Sequence, residues 1–230
     1  MKKLVGLLLL LVLLVVVDRG AAAYAGRSLA TELQRSGGLT AQPTVTVGGF
    51  PFLTQAARGR YDRIEVVATD VPAGATRFAR LDAVLTGVRV PLSQVLAGAV
   101  TEVPVDAVDA RALLSYDALS RSSGGRRLTA EAAGDRVRVR GEVDVLGQRL
   151  GAAAVSTVAL EGDDVVVTAQ SFEVGNRVAD ALLTIALRGR LDLRLSVRDL
   201  PYGLAGDAVT VDPAGGLIRA PARTTVLTAR

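Results

Sequence analysis

The sequence predicts an α+β fold in which a strongly curved antiparallel sheet wraps around helices and an apolar cavity. Three observations carry this reading. Hydrophobic side chains recur with period two over most of the chain after Gly38, the spacing of strands with one dry face. Helical spacing is confined to the N-terminus and a few short stretches. Half of the residues are hydrophobic but only 3% are aromatic, so the interior must be built from Val, Leu and Ala. With 230 residues the chain can hold one large or two small domains, and no Pro/Gly/Ser-rich linker divides it after residue 40. Residues 26–230 are read as a single elongated domain, preceded at 1–25 by a signal peptide or an N-terminal membrane anchor.

That N-terminal reading rests on Lys2 and Lys3, the chain's only lysines, followed by "LVGLLLLLVLLVVV" from Leu4 to Val17. A basic start before an apolar run is the pattern of an export signal, which places the chain outside the plasma membrane. Fourteen helical residues rise about 21 Å, short of the roughly 30 Å hydrocarbon core. Ala21-Ala22-Ala23 and Ala23-Tyr24-Ala25 each satisfy a small-x-small cleavage rule. Against cleavage, "DRGAAAYAGRSLATELQRSGG" reads as a continuing helix with Ala22, Ala25, Leu29 and Leu33 on one side and Gly37-Gly38 at its end. Cleavage and retention both remain open at this point.

The next stretch, "GGFPFLTQ" at 48–55, places two of the four phenylalanines within three positions. Pro51 fixes its own φ and pushes Phe50 toward an extended conformation, so both rings sit on a stiff segment entered through two glycines. They either form an apolar lip or plug the end of a core. Strands follow in "RYDRIEVVATDVP", "ARLDAVLTGVRVP" and "TEVPVDAVDARALL", with Pro104 expected at an edge or a bulge. "DRVRVRGEVDVLG" alternates Val with charged residues. "GAAAVSTVALEGDDVVVTAQSFEV" reads as two strands joined by a turn at 161–164. In "LRGRLDLRLSVRDL", Leu191, Leu193 and Leu195 point one way and Arg188, Arg190 and Arg194 the other. "AGDAVTVDP" and the tail from Leu217 complete the strands. Short helices are expected in "PLSQVLAG" and "SYDALSRSSGG", and a longer one in "NRVADALLTIAL" from an Asn cap.

Function is bounded first by what is missing. The chain has no His and no Cys, and no Lys beyond residue 3. Catalytic triads, Cys–His sites, Ser–Lys dyads, Schiff bases, P-loops and His-ligated zinc therefore cannot be assembled from residues 18–230. Asp106 and Asp109 are the nearest pair of carboxylates for a glycosidase-like site, but acids on strand faces are far more often solvated. Beyond Val17 arginines and acids are nearly balanced and interspersed, which is no nucleic-acid footprint. No enzyme activity, cofactor or metal is expected.

"GFPFLTQ", with "LPYGL" at 200–204 and "VRVPLSQVLAG" at 88–98, resembles the LmeA-like phospholipid-binding family of actinobacterial cell-envelope proteins. The likeness runs from "VDRGAAAYA" to the final strands. It implies a tubular lipid-binding fold without enzymatic activity, binding phospholipid at the outer surface of the plasma membrane in lipid or lipoglycan metabolism, with envelope glycolipid-synthesis enzymes as further candidate partners. On this reading Phe50, Phe52, Leu53, Leu191, Leu193 and Leu195 are candidate lipid contacts. Arg188, Arg190 and Arg194 are candidate headgroup or membrane contacts. The competing reading is a structural or scaffold protein with a filled core, its aliphatic faces plain packing and its arginines a solvated outer face.

Overall fold

The computed structural model describes residues 2–73, 76–91, 93–94, 102–121, 128–145, 148–162, 164–174, 177–178, 184–185, 191–196 and 206–228. The protein is α+β, with a helix and a strongly curled antiparallel sheet. The chain begins with one helix, α1 (Lys2–Ser36), and the apolar run passes into the polar part without a break. There follow β1 (Thr44–Gly48), α2 (Phe52–Arg58), β2 (Arg60–Ala73), β3 (Thr76–Arg89), β4 (Glu102–Ser115), α3 (Tyr116–Arg121), β5 (Leu128–Ala133), β6 (Arg136–Val145), β7 (Gln148–Glu161), β8 (Asp164–Val174), β9 (Arg177–Val178), β10 (Leu193–Ser196), β11 (Ala208–Asp212) and β12 (Gly215–Thr228). Among the described residues the strands form two sheets, ordered β1-β2-β3-β4-β12-β11 and β10-β8-β7-β6-β5, with β9 beside β8.

The chain divides into two compact units. The first comprises residues 1–70, 81–110 and 221–230 and the second residues 71–80 and 111–220.

In the first unit, α1 ends where the paired glycines predict. Gly37 N–H donates to the Leu33 carbonyl at 2.9 Å, and Gly38 takes the left-handed conformation, φ 58°, that terminates helices without a Cβ penalty. The buried face of α1 differs from the expected one. Asp18, Ala22, Gly26 and Ala30 face inward at four-residue spacing, whereas Leu29 is exposed. Close approach explains the choice of small residues: a Cβ on Gly26 would lie 2.6 Å from the Val45 carbonyl oxygen, so only glycine lets α1 reach β1. β1 pairs antiparallel with β2, Val47 opposite Ile64. Pro104 lies near the start of β4, which is an inner strand in the sheet order rather than an edge.

In the second unit, β5 to β8 form consecutive antiparallel hairpins, and the β7–β8 turn falls at the expected place. Alternation settles their burial: Val137 and Val139 on β6, Ala152, Ala154 and Ser156 on β7, and Val165 and Val167 on β8 are all buried. Residues 177–178, expected to open a helix, instead pair with β8 as a short strand, Val178 opposite Glu173 and Arg177 opposite Val174, so their backbone groups are taken up by the sheet. α3 starts at Tyr116 as expected, its phenol donating to the Asp212 carbonyl at 2.8 Å. Most of the expected helices at 91–98 and 176–187 lies outside the described residues.

Candidate functional site

"GGFPFLTQ" runs from the last residue of β1 into the first turn of α2. Pro51, extended at φ −74° and ψ 137°, precedes the first helical turn, and Gly59 closes the helix in the left-handed region, φ 63°. Pro51 offers no side-chain acceptor to the amides of that turn. The acceptor comes from α1: Leu53 N–H donates to Asp18 Oδ1 at 2.9 Å. Asp18 is only 3% exposed, and Arg19 Nη2 donates to its Oδ2 at 3.0 Å. Arg19 also donates to the Gly49 carbonyl at 2.7 Å and lies 5.1 Å from the centre of the Phe50 ring, a cation–π arrangement. Gln55 is buried and completes the frame, donating to the Gly48 carbonyl and accepting from Asp62 N–H.

The two phenylalanines part company here. Phe52 is 6% exposed and packs with Ala22, Val47 and Ala56, its ring 6.1 Å from that of Tyr61, whose phenol is pushed up by burial. Phe50 is 61% exposed and Leu53 44% exposed. The same stretch therefore supplies one core ring and a small apolar edge, set beside Asp18, the residue that follows the last valine of the apolar run. Leu4 to Val17 of α1 are themselves exposed throughout.

The second candidate group lies in the second unit. Leu191, Leu193 and Leu195 are buried together, Leu193 opposite Val167 and Leu195 opposite Val165. Ser156, on the dry face of β7, buries a hydroxyl with no hydrogen-bond partner among the described residues. Arg194 points the other way and is exposed, but its charge is engaged: Nε donates to Asp164 at 2.7 Å, and Glu161 lies 3.8 Å away. Arg188 and Arg190 lie outside the described residues, as does "LPYGL". Of the carboxylates considered for catalysis, Asp106 accepts from both Arg60 and Arg89. It is a node of surface ion pairs, over Gly87, where a Cβ would collide with it.

Against this geometry the comparison with known families is decisive: the model of the LmeA-like phospholipid-binding family matches residues 16–220. The chain belongs to the LmeA-like phospholipid-binding family. The match takes in Asp18, Arg19, the whole Phe50–Gln55 segment and the buried leucines, so both groups lie within the family's extent. No curated protein and no solved structure matches the chain.

Sequence reasoning missed Asp18, Arg19 and α2 itself. A signal for the helix was present: a proline before, a glycine seven residues after Phe52, and a short apolar run between. None existed for Asp18, whose partner is 35 residues away.

Proposed function

We propose that this protein is a non-enzymatic phospholipid-binding protein of the cell envelope, which carries, presents or senses lipid outside the plasma membrane for envelope lipid or lipoglycan metabolism. The observation that carries the reading is the family match across residues 16–220. Two features support the rest. The sequence has no His or Cys and no Lys beyond residue 3, groups on which most hydrolytic mechanisms depend, which argues for binding rather than turnover. α1 is long and apolar enough to cross a membrane, and its apolar half suits either a signal peptide or an anchor.

The lipid chains are assigned to the aliphatic face formed by Leu191, Leu193, Leu195, Val165 and Val167. Sequestering an acyl chain of about 16 carbons gains over 10 kcal/mol against water at roughly 0.8 kcal/mol per methylene, but the bilayer already supplies that gain. Lipid uptake is therefore near-neutral exchange, and the protein must work against a membrane so that the chain never crosses water. The buried Ser156 hydroxyl gives this otherwise dry face one group able to donate to an ester carbonyl.

One observation favours a scaffold with a filled core: Leu191, Leu193 and Leu195 are already buried by protein atoms. Native mass spectrometry of the detergent-extracted full chain, with solvent extraction of bound lipid and uptake from vesicles, separates the two. A retained, extractable phospholipid is expected. Unliganded protein that takes up no lipid would leave the scaffold.

A further inference from the structure

We propose that α1 is retained as a membrane anchor and that Asp18 and Arg19 hold the exposed Phe50–Leu53 edge in the headgroup region of the bilayer that α1 crosses. The inference rests on the proposed placement outside the membrane and not on lipid cargo.

Retention follows from what cleavage would remove. Cutting after Ala23 or Ala25 takes away the carboxylate that receives the Leu53 amide, the guanidinium on the Gly49 carbonyl and the Phe50 ring, and Ala22 from the cluster around Phe52. It leaves a buried ring uncovered and the first turn of α2 without its acceptor. The family match begins at residue 16, upstream of both cleavage points, so this segment belongs to the matched region.

Docking follows from retention by length. The apolar segment Leu4–Val17 reaches about 21 Å, roughly 9 Å less than the hydrocarbon core. A short span is accommodated by snorkelling and by local thinning of the bilayer, which brings the groups beside its ends into the headgroup region. Lys2 and Lys3 can snorkel on the inner side. On the outer side, the side chains fixed beside the end of the span are Phe50 and Leu53, both apolar and both exposed. Asp18, which anchors this edge, is buried and satisfied, so it does not present a bare charge to the lipid. The occupant of this edge is therefore the phospholipid bilayer surface itself.

The chain contains no cysteine, so single cysteines can be placed without background. Full chains carrying Phe50→Cys, Leu53→Cys or, as a control beyond the far end of α1, the exposed Ala41→Cys would be expressed in bacterial membranes. They would then be labelled with an environment-sensitive fluorophore and reconstituted in phosphatidylcholine/phosphatidylglycerol vesicles containing nitroxide lipids. The expected result is the full-chain mass, resistance to alkaline carbonate, and quenching several-fold stronger at positions 50 and 53 than at 41. An N-terminus at Tyr24 or Gly26, or equal quenching at all three positions, would overturn the proposal. Loss of lipid uptake with these readouts unchanged would count against cargo binding alone.

Discussion

Phe50 and Phe52 are two residues apart and lie in opposite environments, which gives each a different expected response. Phe52→Ala empties a packed site and should cost about 3–5 kcal/mol, lowering the melting temperature by on the order of 10 °C for a chain of this size. Phe50→Ser removes a mostly exposed ring and should change stability by less than about 0.5 kcal/mol while weakening vesicle co-sedimentation of a chain whose apolar run has been deleted. A melt that collapses in Phe50→Ser would place that ring in the core. Asp18 makes a third residue-scale case. Asp18→Ala should speed hydrogen exchange at the Leu53 amide, because no other side chain accepts that bond, and Asp18→Asn should restore most of the protection. None of this was legible in sequence, since the bonds join residues 18–19 to 49–53 and a periodic pattern reports only neighbours.

At the scale of elements, what the sequence revealed and what it hid follow physical lines. The hairpins of β6, β7 and β8 were readable because alternation has one solution once a face is dry. α2 shows no helical period because seven residues are too few, and only the proline before it and the glycine after it mark it. The buried face of α1 includes Ala22 as expected but turns to Gly26 and Ala30 rather than Leu29, because contact with β1 demands small residues. Gly26→Ala tests that contact. In a free helix the change is worth about 1 kcal/mol in favour of Ala, yet here the new Cβ meets a backbone oxygen at 2.6 Å. A net loss of about 1–3 kcal/mol, read by denaturant titration, is expected; a gain would mean that α1 does not pack on β1. In the second unit, Leu193→Arg puts a charge on the buried face of β10. If that face holds lipid, the fold survives and lipid uptake falls, whereas a filled core unfolds, since an unpaired charge there costs several kcal/mol.

At the scale of the whole molecule, family membership supports phospholipid binding. The aliphatic face of the second unit is the proposed seat of the acyl chain. Its strands were legible from period two, but whether a face of Val and Leu packs on protein or on lipid was not, because both partners are equally apolar. Photo-crosslinking distinguishes them most directly. A phospholipid bearing a diazirine near its acyl terminus, presented in vesicles to the full chain and mapped by mass spectrometry, should mark Leu191, Leu193, Leu195, Val165 or Val167 as well as the apolar half of α1. Adducts confined to Leu4–Val17, with none on the second unit, would contradict the account.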